Sequence, residues 1–255
     1  MWELSISVST KNLDVAKFVY QTLKKQAQQL GAVVTCYEEF DNIYIIFGCP
    51  VEEKGRSSVA IERCVVKAIT NFYKEKFLSE NLKLPVFDEI NLTAFKQALI
   101  NFDKETDFYI IGKNLQLNEN LHLDSFYAFK LKSLRDKWAE LIALANENSE
   151  YLTSNEAFLD LLKFLIDNLE IGEEEVNVFE DENGYFFGSK ENETHENMSQ
   201  NTLVSSLIDI CPKKINFFCK SDDAVVNFLS KIFEERINVC YNKNLEKLEN
   251  FSILK

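Results

Sequence analysis

The sequence contains few residues that loosen or interrupt a fold. Of 255 residues only 7 are glycine and 3 are proline, and flexible or extended linkers are rich in these residues. Hydrophobic residues make up 46% and charged residues 27% of the chain, which is the balance of a globular protein and not of a disordered or fibrous one. The length suits one large domain or two small ones.

Histidine and closely spaced cysteine are also scarce. The chain has 2 histidines and 6 cysteines, and no two cysteines form a CxxC pair. This is poor material for a zinc site. Without a secretion signal, isolated cysteines are typical of buried, reduced thiols in the cytoplasm, so we expect a cytoplasmic protein without a metal site.

Signals for a membrane or a bound nucleotide are missing as well. The N-terminus, MWELSISVSTKNLD, lacks the basic start and apolar core of a signal peptide. The longest apolar run, IYIIFGC, is far shorter than the roughly 20 residues that span a bilayer. Neither GxGxxG nor GxxxxGKS/T occurs, and Asp222 and Asp223 put negative charge where a phosphate would meet a helix N-terminus. We therefore expect no cofactor.

Negative charge is concentrated in one part of the chain. The formal net charge is −13, and ten acidic residues against one lysine lie between Glu170 and Glu196. An acidic surface repels nucleic-acid phosphates and anionic lipid heads, which argues against both as partners. An EF-hand is excluded, because Phe179 and Lys190 fall at the first and last ligand positions.

Hydrophobic periodicity predicts an α+β fold that begins with a β-α-β-β-α unit. The predicted elements are a strand over 2–9, a helix over 12–30 that Gly31 ends, a hairpin over 32–48, and a helix that opens at Ser57 or Ser58. We expect both helices on one face of the sheet. Beyond them, residues 107–112, DFYIIG, predict a short strand within a weakly patterned connection.

A helical hairpin and a mixed sheet are predicted for the rest of the chain. The helical hairpin joins a helix over 125–148 to one that Thr153 and Glu156 open as a capping box and Gly172 closes. The sheet combines a β-hairpin around Asn183-Gly184, a helix over 203–210, and a β-α-β crossover whose helix Asp222 caps. We place the domains at 1–115 and 116–255, with a mobile loop after Lys190 and a helical tail.

Two groups of residues are candidates for binding. Cys219, Lys220 and Cys240 lie at the ends of the two predicted parallel strands, where open α/β sheets usually bind ligands. Lys130, Lys132, Arg135 and Lys137 cluster near the start of the long helix and could bind an anion or, weakly, nucleic acid. Charge runs are more often solvated helix faces, and small buried thiols more often behave as hydrophobic residues. His122 and His195 belong to no catalytic motif, and we expect them at the surface.

Five pieces of the C-terminal half follow one another in a recognisable order: FYAFKLKSLRDKWAEL (126–141), AFLDLLKFLIDN (157–168), the hairpin over 176–187, LVSSLIDICPKKINFFC (203–219) and IFEERINVC (232–240). In this succession the C-terminal half resembles the YtxC-like family of sporulation proteins from spore-forming Firmicutes. The family reads closer to LLRYF where this chain has LLKFL, so Lys163 replaces an arginine. Relatives also carry a further cysteine soon after the position of Cys240, and this chain does not.

The resemblance implies a process, spore formation, but no catalytic residue. The sequence thus favours a non-catalytic cytoplasmic protein that acts through contacts with a protein partner. The alternative is an enzyme or a small-ligand-binding protein with its site near Cys219 and Cys240.

Overall fold

Two four-stranded sheets organise the part of the chain that the structure describes. The structure is a computed structural model, and it describes residues 1–83, 88–149, 154–182, 184–188, 197–221 and 223–241. By their internal contacts, residues 1–82 and 103–147 form a first unit, and residues 83–102 and 148–255 form a second. The α+β class is confirmed. The domain boundaries at 115 and 116 stay a prediction, since contacts alone do not test independent folding.

The first unit begins with the predicted β-α-β-β-α order. Its elements are β1 (Trp2–Ser9), α1 (Leu13–Leu30), β2 (Val33–Glu39), β3 (Asn42–Cys49) and α2 (Lys54–Ala68). Gly31 ends α1 in the left-handed region, at φ 58°, where glycine has no steric penalty. The predicted start of α2 at Ser57 or Ser58 is wrong by about one turn. Glu52 and Glu53 precede the helix, and negative charge at that position stabilises the positive end of the helix dipole.

The connection after α2 differs most from expectation. The chain continues through a π-helical turn (Ile69–Tyr73) into α3 (Lys74–Asn81), and α4 (Glu89–Asn101) follows in the second unit. The predicted strand DFYIIG is wrong, because these residues lie in the helix α5 (Lys104–Asn114). Asp107 and Ile111, four residues apart, are its buried positions, as expected for one face of a helix.

A short strand and an interrupted helix complete the first unit. β4 (Asn120–His122) adds to the sheet parallel to β1, giving the order β2-β3-β1-β4. The predicted long helix is broken: α6 (Leu123–Ser125) and a π-helical turn (Phe126–Lys130) precede α7 (Lys132–Ser149). The buried residues of α7, among them Leu134 and Trp138, belong to the hydrophobic core of the first unit.

The second sheet has the order β6-β5-β7-β8. It consists of β5 (Glu175–Asp181), β6 (Gly184–Gly188), β7 (Lys214–Cys219) and β8 (Ile237–Tyr241), with α9 (Gln200–Ile210) before β7 and α10 (Ala224–Phe233) before β8. β5 and β6 form the predicted antiparallel hairpin, and β7 lies parallel to both β5 and β8. The predicted parallel pair of the last two strands is confirmed.

Three helix ends in the second unit differ from the predicted ones. α8 (Asn155–Asp167) is capped by Ser154, whose hydroxyl accepts a hydrogen bond from the N–H of Ala157 at 3.2 Å; Thr153 lies outside the described residues. α8 ends well before Gly172, which instead approaches the carbonyl of Ile210 and donates to it at 3.0 Å. Asp223 caps α10 through the N–H of Val226 at 2.8 Å.

Several predicted features fall on residues that the structure does not describe. These are the cap at Asp222, residues 190–196 of the predicted mobile loop, and the helical tail after Tyr241; the end of that loop is described, and α9 already begins at Gln200. The hairpin of the two long helices stays a prediction, because α7 belongs to the first unit and α8 to the second. No helix among the described residues is long and apolar enough to cross a membrane.

Candidate functional site

A groove with charged and apolar side chains lies between α8 and the end of α10 in the second unit. Its volume is about 660 Å³. Five lining residues come from α8 (Asn155, Glu156, Leu159, Asp160 and Lys163), and three come from α10 and the turn after it (Ser230, Lys231 and Glu234). We call this feature the α8–α10 groove.

The amphipathic pattern of α8 explains why one of its faces lines the groove. Phe158, Leu162, Leu165 and Ile166 are buried, so this side of the helix is held against the interior. The groove residues recur three and four positions apart and form a neighbouring stripe of the same helix. Burial of the apolar side therefore fixes the direction in which the charged side chains point.

An ion pair connects the two walls of the groove. The Nζ of Lys163 contacts the Oε1 of Glu234, and this hydrogen bond raises the pKa of the Lys163 ammonium. Lys163 is the residue that departs from the arginine of the resembled family. Either side chain can carry a positive charge to Glu234, although arginine could donate in a bidentate fashion.

The backbone of Glu234 is strained. Its φ is 43° and its ψ is −117°, a backbone conformation that residues other than glycine rarely adopt. Such a conformation costs about 1–3 kcal/mol and occurs preferentially at functional positions. The strain places a carboxylate at the point where α10 ends and the groove begins.

The charges of the groove suit a polypeptide better than a metal ion or a single anion. Three carboxylates (Glu156, Asp160 and Glu234) and two ammonium groups (Lys163 and Lys231) lie along it, beside the apolar Leu159. Within the described residues, no group of three or more histidine, cysteine or acidic side chains could hold a metal. Phe164, next in sequence to Lys163, is 61% exposed, and exposed aromatic side chains are common anchors in protein interfaces.

The predicted strand-end residues reach the same end of the sheet but lie on opposite faces. Cys219 is buried against the helices, whereas Cys240 is in register with Phe218, whose side chain points to the other face. Neighbouring residues of a strand alternate between faces, so the two thiols do not converge. Lys220 is exposed, and its N–H donates to Glu180 at 2.8 Å. A ligand site at Cys219, Lys220 and Cys240 stays a prediction.

The predicted anion cluster is divided among different interactions. Arg135 donates to the carbonyl oxygen of Ala128 at 2.7 Å and lies over the ring of Tyr127 at 5.3 Å. Lys137 forms an ion pair with Asp103 at 3.5 Å, while Lys130 and Lys132 are exposed. Two of the four cations thus already have partners, and anion binding at the cluster stays a prediction.

The two histidines and Cys211 are not arranged as a catalytic group in the described part of the chain. His122 is half-buried, and its Nε2 lies 3.1 Å from the Oδ1 of Asn42. His195 lies outside the described residues. Cys211 is buried, and its Sγ accepts a hydrogen bond from Arg236 at 3.2 Å. None of these contacts assembles a nucleophile with a base.

A buried ion pair in the first unit was not predicted from the sequence. The Nζ of Lys74 lies 2.6 Å from the Oδ2 of Asp107, and the indole N–H of Trp138 donates to the other carboxylate oxygen at 3.0 Å. Burial lowers the pKa of Lys74 and raises that of Asp107. Helical periodicity through Asp107 and Ile111 could have indicated the helix, but no local pattern joins it to Lys74.

A family model matches the part of the chain that contains the groove. A family model described as the YtxC-like family matches residues 88–238, which is more than half of the chain and includes every groove residue. The predicted resemblance of the C-terminal half is thereby confirmed. Comparison with curated proteins and with solved structures gives no significant match.

Proposed function

Since the chain belongs to the YtxC-like family, we propose that it is a sporulation-associated, non-catalytic protein of the cytoplasm. It acts by binding a protein partner through the α8–α10 groove. Family membership supports the process, because the resemblance implies spore formation. The groove supports the mode of action, because its side chains suit recognition of a charged surface.

One observation carries the proposed mode of action. The groove combines charges of both signs with the apolar Leu159, and Phe164, which follows Lys163 on α8 but does not line the groove, adds an exposed aromatic side chain beside it. Charged side chains around an interface steer association and select partners, and aromatic side chains often supply much of the binding energy. Glu156 and Asp160 lie one helical turn apart and present two carboxylates to a basic group of the partner.

Site-specific cross-linking in sporulating cells tests the proposal. A photo-reactive phenylalanine analogue replaces Phe164 in one strain and Phe129, which is 79% exposed in the first unit, in a control strain. We expect one defined adduct from position 164 and none of that mass from position 129. Equal labelling from both positions, or no adduct from position 164, would contradict the proposal.

A charge reversal tests whether the groove itself is responsible. Glu156→Lys with Asp160→Lys should abolish the adduct and lower the spore count. Asp136→Lys with Glu140→Lys is the matched control, since it reverses two exposed carboxylates at the same spacing on α7. An unchanged adduct in the groove variant would show that the partner binds elsewhere.

A further inference from the structure

Three large apolar or aromatic side chains of the β2–β3 hairpin are exposed. Val33 is 70% exposed, Tyr37 is 45% exposed, and Phe40, at the tip of the hairpin, is 88% exposed. On the helix-facing side of β3, by contrast, Ile45 and Phe47 are fully buried. The apolar residues at the outer side and the tip are therefore not needed for the core, and they are available for an interaction.

Edge position makes this hairpin suitable for pairing with another strand. β2 is the first strand in the order β2-β3-β1-β4, so in the described part of the chain it pairs only with β3. Its seven residues pair with β3 in continuous register, without a bulge. Lysine, proline and other charged residues are the means by which natural edge strands prevent pairing; in β2 the charged residues are confined to Glu38 and Glu39 at one end, and residues 33–37 carry none. Its outer backbone groups can thus hydrogen-bond to an added strand.

A cross-strand aromatic pair stabilises the hairpin. The rings of Tyr37 and Tyr44 stack across the two strands, with centroids 5.0 Å apart and an angle of 10° between the ring planes. Such cross-strand aromatic pairs contribute to the stability of a hairpin. An added strand therefore meets a preformed edge, which reduces the loss of conformational entropy on binding.

Charge selects the kind of partner. Residues 33–49 contain Glu38, Glu39 and Asp41 and no basic residue. Glu38 and Glu39 follow one another along β2, so their side chains point to opposite faces of the sheet. An incoming strand with lysine or arginine at the same end would be attracted on both faces. The same hairpin of a second copy could not supply this charge, because residues 33–49 contain no basic residue.

We propose that the β2 edge accepts an extended, basic segment of a partner protein as a fifth strand of the first unit's sheet. Main-chain hydrogen bonds supply the affinity in this mode of recognition, and alternate side chains supply the specificity. Apolar side chains of the segment lie beside Val33 and Tyr37, and basic side chains lie beside Glu38 and Glu39. This surface is separate from the α8–α10 groove and does not depend on it.

Three synthetic peptides test the proposal on the full chain. The first, Lys-Lys-Thr-Val-Tyr-Val-Thr-Lys-Lys-amide, has the predicted character in either strand direction. The second replaces its four lysines with glutamate, and the third replaces its two valines with proline, which cannot donate to a strand ladder. Hydrogen exchange reports where a peptide binds, and fluorescence anisotropy reports how tightly. We expect only the first peptide to slow exchange over residues 33–39.

Matched charge reversals separate a specific site from general attraction to an acidic protein. Glu38→Lys with Glu39→Lys should weaken binding of the lysine peptide about tenfold, from two exposed charge pairs changed from attraction to repulsion. Asp136→Lys with Glu140→Lys changes the net charge equally and should leave binding unchanged. Four outcomes would overturn the proposal. Hydrogen exchange over residues 33–39 is not slowed at millimolar peptide, or it is slowed in another part of the chain instead. Alternatively, the two charge reversals weaken binding equally, or exchange slows with rising protein concentration in the absence of peptide, as for self-association.

Discussion

Removal of one partner of the buried Lys74–Asp107 pair should strongly destabilise the first unit. The two side chains are 1% and 4% exposed, so neither charge can be solvated after the other is lost. Breaking such a pair costs about 3–5 kcal/mol, a large fraction of the roughly 5–15 kcal/mol by which a domain is stable. We expect losses of this size for Lys74→Met and for Asp107→Asn.

The double variant should be more stable than either single variant. Burial is the largest influence on the pKa of both groups and opposes both charges. Replacing the two charges together therefore removes a desolvation penalty along with the attraction. Asn at position 107 keeps an oxygen that can accept from the indole of Trp138. We expect Lys74→Met/Asp107→Asn to cost about 1–2 kcal/mol, from imperfect hydrogen bonding of the buried amide.

Urea unfolding followed by tryptophan fluorescence measures these differences. The chain has 2 tryptophans, and Trp2→Phe leaves Trp138 as the only reporter, in contact with the altered pair. Lys137→Met is the control, because its ion pair with Asp103 is exposed and should contribute at most about 1 kcal/mol. If the loss in the double variant equals the sum of the single losses within about 0.5 kcal/mol, the two charges are independent and the argument is refuted.

Three further predictions concern backbone conformation and burial. Gly172→Ala should destabilise the second unit by about 1–3 kcal/mol, because the added Cβ would lie 2.3 Å from the carbonyl oxygen of Ile210. Gly55→Ala is the control and should not lower the melting temperature, because its Cβ would meet no atom within 4 Å. Glu234→Gly should raise the free energy of unfolding by up to about 1 kcal/mol, because glycine adopts a positive φ without strain. Glu235→Gly should lower the free energy of unfolding. If both variants are less stable than the parent chain, Glu234 is not strained. Burial raises the pKa of the Cys64 thiol from 9.0 to about 12. Its contribution to stability is therefore present below pH 9 and is lost as the pH rises toward 12. Cys64→Ala should flatten this alkaline loss in unfolding curves from pH 8 to 11, and an unchanged slope above pH 9 would contradict the prediction.

Local patterns were sufficient for the parts of the fold that are decided locally. The alternation in β1 and the hairpin signal around Gly184 could be recognised because each depends on a few neighbouring residues. DFYIIG was misread, since a short apolar run fits a strand and a buried helix equally well. The choice was made by tertiary contacts, in which Asp107 meets Lys74 and Trp138.

The candidate site depends on relations that one sequence does not contain. Lys163 and Glu234 are 71 positions apart, and only the packing of α8 beside α10 brings them together. The expectation for Cys219 and Cys240 named the right end of the sheet, but a register shift of one residue decides which face each side chain occupies. The two thiols are separated for this reason alone.

The pairing of β1 with β4 has a consequence for synthesis of the chain. β1 leaves the ribosome well before its parallel neighbour, which begins only at Asn120. Residues 83–102, which pack in the second unit, are made in the interval. Domains usually fold in order as the N-terminal part emerges. Here the first unit must hold an incomplete sheet while part of the second is translated, so the two units are completed in an interleaved order.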